Sequence, residues 1–319
     1  MPIDSDPDMP DPACESPGAP ETSEAPGGRE PRDGTEAAAF RQQQIAEHAR
    51  YHRVADAAYQ AAARQTWATA VPDLRAAWEE HKEKFPERTP PTPRTQPDGG
   101  WAADGNRRLT PEQNAEATKA CADLRDEADQ VTLPAVRRVE EASPGGRLAG
   151  LDHMLKGEDR LKEKIAAAME APGVTVREAI ALVADAVRYT LTYDDAGRYA
   201  EGVLADLDGL KAEGFELIKL KNLWHADQYK GVNSQWCRPD TGLRFEMQFH
   251  TPESLEAKEL THKAYERIRG QTISSTEKLE LEAFQRRVNA LVATPPSTDR
   301  IKDFPEQDDD RQSHLLRDD

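Results

Sequence analysis

Apolar and polar residues alternate along residues 243–250. Because successive side chains of a β-strand point to opposite faces of a sheet, this alternation predicts a strand with one apolar and one polar face. The apolar positions are Leu243, Phe245, Met247 and Phe249, and the polar positions are Arg244, Glu246, Gln248 and His250. The polar face is either the solvent-exposed side of a half-buried strand or part of a functional site, since a carboxylate beside an amide can bind a metal ion or accept a hydroxyl proton.

Helical and strand patterns alternate between residues 147 and 270, which predicts an α+β domain whose mixed sheet is flanked by helices. Residues 176–193 are typical of a helix that leads into a strand, and residues 197–214 of an amphipathic helix that ends at Gly214. The remaining predicted elements are a strand at residues 215–224 and helices at residues 252–270 and 272–292.

The N-terminal half has a different composition. Its first 35 residues are rich in Pro, Gly, Ser and acidic residues, which predicts a disordered acidic tail. An alanine-rich helical region follows, and a Pro-rich break separates it from a second helical region that begins at Thr110, a favourable N-cap residue. The expected packing residues of the first region are Phe40, Ile45, Tyr51, Val54, Tyr59, Trp67, Leu74 and Trp78. The predicted segments are a tail (1–35), a helical segment (36–85), a linker (86–108), a second helical segment (109–146), the α+β domain (147–270), a C-terminal helix (271–295) and an acidic tail (296–319).

Composition narrows the classes of function. The mean hydropathy of −0.82 and the hydrophobic fraction of 37% indicate that part of the chain lacks a packed core. The net charge of −17 disfavours general binding to nucleic acid or to an anionic membrane, although it is compatible with a local basic cleft. Three widely spaced cysteines form neither a zinc nor a disulfide pattern. With no membrane-spanning run and no cleaved signal expected, we predict action in the cytoplasm, and export without a cleaved signal stays an alternative.

Two basic segments suit nucleotide binding. The first combines lysines, which bind phosphates, with aromatic rings, which stack on bases; the alternative is a basic loop around a core tyrosine. Its residues are Lys219, Lys221, Trp224, Tyr229 and Lys230. The second lies near a helix start, where backbone donors and basic side chains attract phosphate, although charged helix starts are common without a ligand. Its residues are Lys156, Arg160, Lys162 and Lys164.

Asp185 and Arg188 stand where a predicted helix leads into a predicted strand. Sites are often placed at strand ends, and a structural salt bridge between the two residues is the alternative. The sequence contains no GxxxxGK phosphate loop and no GxGxxG motif that follows a strand, so neither of these two phosphate-binding loops is expected.

In this order, the motifs resemble those of the RelA/SpoT-type nucleotidyltransferase domain, the alarmone synthetase fold. The resemblance covers about residues 147 to 270 and ends with an E-x-Q-x-x-T strand followed by an H-x-x-Y helix pattern. The residues that carry it are Lys156, Lys164, Asp185, Arg188, residues 219–233 around Tyr229, Glu246, Gln248, Thr251, His262 and Tyr265.

The resemblance implies transfer of pyrophosphate from ATP to the 3′-hydroxyl of a second nucleotide, with Mg²⁺. In that assignment Glu246 accepts the hydroxyl proton and shares the magnesium ion with Asp185, while Gln248 orients the acceptor. The implied ATP-binding residues are Lys156, Lys164 and Arg188. The implied acceptor-binding residues are Tyr229, Lys219, Lys221 and Asn233, with Tyr229 stacked on the base.

Several alternatives remain open at this point. The acceptor is GDP, GTP or an adenine nucleotide, and tRNA is less favoured because of the net charge. A growth-inhibiting toxin or phage-defence effector is a natural variant, with an antitoxin or other partner on the N-terminal helices and no membrane partner. A binding module that has lost catalysis is the rival, because Met154 and Arg160 replace the family's Arg and Ser, and Asp185 stands two positions after the usual aspartate position, here Val183.

Overall fold

The computed structural model describes residues 34–86, 94–103, 107–270 and 273–305. The chain divides into two compact units, residues 1–52 and 53–319. The predicted disordered tail (1–35) lies outside the described residues except for positions 34 and 35, which belong to a helix. The predicted acidic tail (296–319) is described as far as residue 305.

The described residues contain eight α-helices. They are α1 (Gly34–Lys84), α2 (Pro111–Glu127), α3 (Leu133–Ala142), α4 (Glu158–Ala168), α5 (Val176–Leu182), α6 (Tyr199–Ala212), α7 (Pro252–Gly270) and α8 (Ser275–Ala290). Thr110 caps α2 as predicted, since its side chain accepts a hydrogen bond from the backbone N–H of Gln113. The π-helical turn Ala128–Thr132 joins α2 to α3.

The first part of α1 supplies the described residues of the first unit, and these are mostly exposed. In the second unit α1 is buried at Trp67, Leu74 and Trp78. The prediction that apolar residues pack along the whole helix is therefore wrong for its first half. The exposed apolar residues of α1 are Phe40, Ile45, Tyr51, Val54 and Tyr59.

Two sheets are described in the second unit. The small one has the order β1–β2–β3, and the large one has the order β4–β5–β8–β7–β6. In the large sheet β5 and β8 are parallel and the other pairs are antiparallel, so the predicted mixed sheet flanked by helices is confirmed. The strands are β1 (Arg94–Thr95), β2 (Trp101–Ala102), β3 (Arg108–Leu109), β4 (Gly146–Ala149), β5 (Arg188–Tyr193), β6 (Glu216–Asn222), β7 (Val232–Cys237) and β8 (Arg244–His250).

Sequence patterns did not predict β1–β4 or β7. The small sheet lies within the predicted Pro-rich linker (86–108) except for Leu109 at its end. Trp101 of this sheet is buried, and its ring N–H donates to Asp159 of α4 at 2.8 Å. The start of the predicted acidic tail also packs: Ile301 is buried, and the backbone N–H of Leu220 in β6 donates to the carbonyl of Phe304 at 2.8 Å. Both segments have regular contacts that their Pro and acidic content did not indicate.

One face of the large sheet forms the centre of the core. Phe245, Met247 and Phe249 of β8 are fully buried there. Tyr189 of β5 pairs with Met247, and its hydroxyl donates to the carbonyl of Ala128, so the α2–α3 region lies on this apolar face. Burial of large apolar side chains stabilises this layer by about 2 kcal/mol each. The opposite face of β8 is therefore the polar one.

Among the residues that the structure describes, none of the helices has both the length and the apolar character needed to cross a bilayer.

Candidate active site

The polar face of the large sheet carries rows of polar and charged side chains. Residues that are in register on neighbouring strands point to the same face, so strand pairing brings distant segments together. One row across the sheet is Lys219, Gln235, Glu246 and Arg188, and the next is Lys221, Asn233, Gln248 and Thr190. Six residues predicted to act in the site thus share one face of four strands.

This polar face is buried where it crosses β8. Glu246 is 5% exposed, Gln248 is 4% exposed and His250 is fully buried. The alternative of a solvent-exposed strand side is therefore excluded for these three residues. β8 is the central strand, and α7 lies against its polar face, which explains the burial. Buried polar groups of this kind need partners, because desolvation without a hydrogen bond is costly.

Glu246 obtains its partners from two neighbouring side chains. Its Oε1 accepts a hydrogen bond from Nε of Arg188 at 2.8 Å and another from Nε2 of Gln248 at 2.5 Å. The Oε1 of Gln248 accepts in turn from Nζ of Lys258 at 2.7 Å. The carboxylate is therefore held in one orientation by a charged and a neutral donor.

Asp185 lies in a cluster of cations at the edge of this face. Its Oδ1 is 2.7 Å from Nζ of Lys164, and its Oδ2 is 2.9 Å from Nζ of Lys156 and 4.0 Å from Nη2 of Arg188. Burial alone would raise the pKa of Asp185, but the hydrogen bonds from the two lysines outweigh it and lower that pKa to about 2. The carboxylate is thus ionised at neutral pH. The three predicted ATP-binding residues meet here.

Asp185 occupies the turn between α5 and β5 rather than the strand. The contact between Asp185 and Arg188 therefore arises from this turn, which leads directly into β5. Arg188 reaches both acidic side chains, Glu246 through Nε and Asp185 through Nη2. The two carboxylates accordingly lie on either side of one guanidinium, at the same end of the polar face.

Tyr229 is half-buried and anchored by its hydroxyl, which shares a hydrogen bond of 2.9 Å with Nε2 of His250. Nδ1 of His250 shares another of 2.8 Å with Oγ of Ser254 in α7. Burial holds the pKa of His250 well below its usual value, so the imidazole is neutral at neutral pH. Gly231 makes this packing possible: its φ is +145°, and an added Cβ would lie 2.9 Å from the His250 ring.

The remaining candidates in the basic segment divide into two groups. Lys230 donates to the carbonyl of Trp224 at 2.9 Å, and Trp224 is fully buried, so these two residues support the loop instead of offering a cation and a ring to a ligand. Lys219 is exposed and Lys221 half-buried on β6. Oδ1 of Asn233 is buried and accepts no hydrogen bond among the described residues.

The other basic residues near α4 are engaged elsewhere. Lys162 is buried and pairs with Glu158 at 2.7 Å. Arg160 pairs with Glu163 of its own helix and with Glu266 of α7, each at 3.2 Å. Lys258 is the site residue that sequence reasoning missed. The signal that could have found it is the spacing of four residues from Ser254 on one helix face.

Among the described residues, no group of three or more His, Cys, Asp and Glu side chains is arranged to hold a metal ion. The motif resemblance assigns the metal ion to Glu246, which lies on the polar face, and to Asp185, which lies in the turn at its edge. Proteins commonly bind Mg²⁺ through one or two carboxylates together with substrate phosphates.

Comparisons with known proteins give matches in solved structures alone. No protein-family model matches the chain, and no curated protein sequence matches it. The small alarmone synthetase 1 from Bacillus subtilis is 15% identical over 56% of this chain and 92% of its own, with a TM-score of 0.37. A GTP pyrophosphokinase family protein from Streptococcus pneumoniae is 17% identical over 56% and 87%, with a TM-score of 0.37.

A third match, the small alarmone synthetase 2 from Bacillus subtilis, is 11% identical over 58% of this chain and 95% of its own, with a TM-score of 0.37.

Proposed function

We propose that the protein is a nucleotide pyrophosphokinase, which transfers pyrophosphate from ATP to the 3′-hydroxyl of an acceptor nucleotide. The observation that carries the proposal is the way in which the Glu246 carboxylate is held. Its carboxylate lies on the polar face of the central strand with Oε1 held by Arg188 and Gln248. Both of these donors approach the same oxygen, so Oε2 is the one assigned to a substrate hydroxyl. A fixed carboxylate in a buried site is what a general base requires.

The cluster of cations around Asp185 is assigned to ATP, the donor of the pyrophosphate group. Lys156, Lys164 and Arg188 surround Asp185 within 4.0 Å. A nucleoside triphosphate carries more negative charge than one carboxylate and competes for the same cations. We assign the phosphates of ATP to these three side chains, and the guanidinium is also suited to stacking on adenine.

The acceptor side is assigned to the β6–β7 end of the polar face. Lys219 and Lys221 lie there on neighbouring strand positions of one face, where they suit the acceptor's phosphates. The unpartnered Oδ1 of Asn233 suits a base or ribose donor. Tyr229, whose orientation is fixed by His250, is assigned to stacking on the acceptor base.

The proposed reaction is a direct transfer and needs no covalent enzyme intermediate. The acceptor's 3′-oxygen attacks the β-phosphorus of ATP, the bond from that phosphorus to the α,β-bridging oxygen breaks, and AMP leaves. The hydroxyl proton passes to the carboxylate of Glu246. Such a transfer depends on positioning and on neutralising phosphate charge. Mg²⁺, held by Asp185 and Glu246 together with the phosphates, would supply part of that neutralisation.

The test incubates the full chain with γ-labelled ATP, Mg²⁺ and separate GDP, GTP, ADP, AMP and tRNA acceptors. Label on an acceptor together with equimolar AMP indicates pyrophosphate transfer, whereas ADP would indicate transfer of a single phosphate. Glu246→Gln is expected to lose at least about 100-fold in rate, the usual contribution of a general base. The matched control is Glu201→Gln, an exposed glutamate of α6. Transfer by Glu246→Gln at the rate of the unaltered protein would overturn the proposal.

A binding module without catalysis is the second candidate. The observation that favours it is the closed set of ion pairs: both oxygens of Asp185 contact lysines, and Arg188 pairs with Glu246. A reaction needs these pairs to rearrange around the substrate. Calorimetric binding of ATP that is weakened by Lys164→Met, with no label on any acceptor, would support this candidate over the enzyme.

We extend the proposal to growth inhibition. A pyrophosphorylated nucleotide that is made faster than it is removed depletes its precursors and slows growth. Expression of the unaltered chain in bacteria is expected to reduce growth, and expression of Glu246→Gln to an equal level is expected to relieve that effect. Equal growth inhibition by both forms would show that the toxicity does not depend on the transfer reaction.

A further inference from the structure

Lys258 is the basic residue of α7 that reaches the centre of the polar face. Its Nζ donates to Oε1 of Gln248 at 2.7 Å. One helical turn before it, Ser254 contacts His250, which is two residues after Gln248 on β8. Two residues of a strand span about 6.6 Å and four residues of a helix about 6 Å. Because these spacings match, α7 runs antiparallel to β8, and Lys258 and Ser254 contact Gln248 and His250 in turn.

The start of α7 fixes this alignment. The backbone N–H of Ser254 donates to Oγ1 of Thr251 at 3.3 Å, and the N–H of Thr251 donates to Oγ of Ser254 at 3.0 Å. Ala257 and Ala264 are fully buried on the inner side of the helix. Lys258 is therefore carried by a capped, packed helix and not by a loop.

The contact with Lys258 determines which way the Gln248 amide points. A protonated lysine offers donors alone, so it can bind the amide oxygen but not the NH₂ group. The NH₂ group then points to Oε1 of Glu246. With the amide reversed, its oxygen would face the Glu246 carboxylate, and a hydrogen bond would be replaced by repulsion between two acceptors.

We propose that Lys258 is a positioning residue: it locks the Gln248 amide so that Arg188 and Gln248 both occupy Oε1 of Glu246 and Oε2 is kept for the acceptor's hydroxyl. This inference rests on the proposed transfer reaction for its catalytic consequence. The orientation of the amide itself can be measured without any reaction.

The charged groups around Lys258 make its effect on the Gln248 amide depend on pH. Burial and then the charge of Arg188 lower the pKa of Lys258 to about 8, while Glu246 and Glu259 oppose the shift. His250 of β8 and His262 of α7 also face this ammonium group, and burial lowers the pKa of each. Above a pH of about 8 the amine becomes neutral and can accept as well as donate, so it no longer enforces one amide orientation.

The first experiment follows the Gln248 side-chain NH₂ group by NMR in the full chain labelled with ¹⁵N-glutamine. The signal is assigned by its loss in Gln248→Glu. It is expected to shift with a midpoint near pH 8 in the unaltered protein, and both the position and the pH response are expected to change in Lys258→Met. Lys263→Met, which removes an exposed lysine of the same helix, is the matched control and is expected to change neither. An unchanged Gln248 signal in a folded Lys258→Met protein would overturn the proposal.

The second experiment separates positioning from binding by kinetics. Lys258→Met is expected to lower kcat by about 10- to 100-fold, a fraction of the effect of losing the base, with the KM for ATP within about twofold. Lys258→Arg keeps a donor-only side chain and is expected to restore part of kcat at pH 9. Equal kcat for Lys258→Met and the unaltered protein would refute the catalytic role of Lys258. An unaltered protein that transfers nothing, with the NMR result as expected, would instead refute the proposed function and leave the positioning of Gln248 intact.

Discussion

Nε of Arg188 in β5 donates to Oε1 of Glu246 in β8 at 2.8 Å, across the parallel strand pair of the large sheet. The same guanidinium reaches Asp185 at 4.0 Å. One arginine thus connects the carboxylate proposed as the base with the cluster proposed to bind ATP. The contact joins residues 58 positions apart, and strand register alone places them opposite each other.

Removing Arg188 is expected to destabilise the protein. Arg188→Met leaves the buried Glu246 without its charged partner, and loss of one member of a buried ion pair costs about 3 kcal/mol. Urea denaturation at pH 7 measures the free energy of unfolding. The double variant Arg188→Met/Glu246→Met should recover most of the loss, since no unpaired charge remains. Additive losses in the double variant would show that the pair is not coupled.

Asp185 is expected to make stability depend on pH in the acid range. Its folded-state pKa of about 2 lies below the ordinary 3.8, so its stabilising effect is full above pH 4 and is lost as the pH falls towards 2. The effect amounts to about 2 kcal/mol. Denaturation of Asp185→Asn between pH 2 and pH 7 should show a flatter profile than the unaltered protein. Asp208→Asn, at an exposed position of α6, serves as the control and should keep the steeper profile.

Asp206 is expected to change the pH dependence of stability in the direction opposite to that of Asp185. Its carboxylate is buried on α6, where it accepts hydrogen bonds from the hydroxyls of Tyr193 and Ser143. Burial outweighs these bonds and raises the pKa of Asp206 to about 6. The folded state therefore binds the proton more tightly, and stability falls as the pH rises from 4 to 6. Asp206→Asn should remove this fall, which unfolding measurements across that range would detect; an unchanged slope would contradict the shift.

Trp101 tests the packing of the segment that sequence patterns assigned to a linker. The side chain is 1% exposed and donates to Asp159 at 2.8 Å. Trp101→Ala is expected to lower the free energy of unfolding by about 3 to 4 kcal/mol, through the cavity it creates. Trp101→Phe keeps most of the apolar volume and should lose about 1 to 2 kcal/mol with the hydrogen bond. Calorimetry of both variants gives the comparison, and no loss in Trp101→Ala would show that the segment does not contribute.

Local features of the fold followed from local sequence. The alternation over residues 243–250 predicted β8, and the Thr110 and Gly214 signals marked helix ends that the structure contains. The strands β4 and β7 are not predicted by the sequence, because each is recognisable mainly by its partner strand. The sequence leaves open whether Trp224 and Lys230 bind a ligand or belong to a basic loop, and the hydrogen bond between them shows that they support the loop.

The sequence by itself determined which residues alternate, where helices begin and which side chains carry charge, because these depend on neighbours within a few positions. Tertiary structure decided that β8 is central, that its polar face is buried, and that Arg188, Glu246, Gln248 and Lys258 form one connected set. Strand order and helix placement fix those contacts between segments far apart in the chain. No pattern within one segment records which other segment will lie beside it.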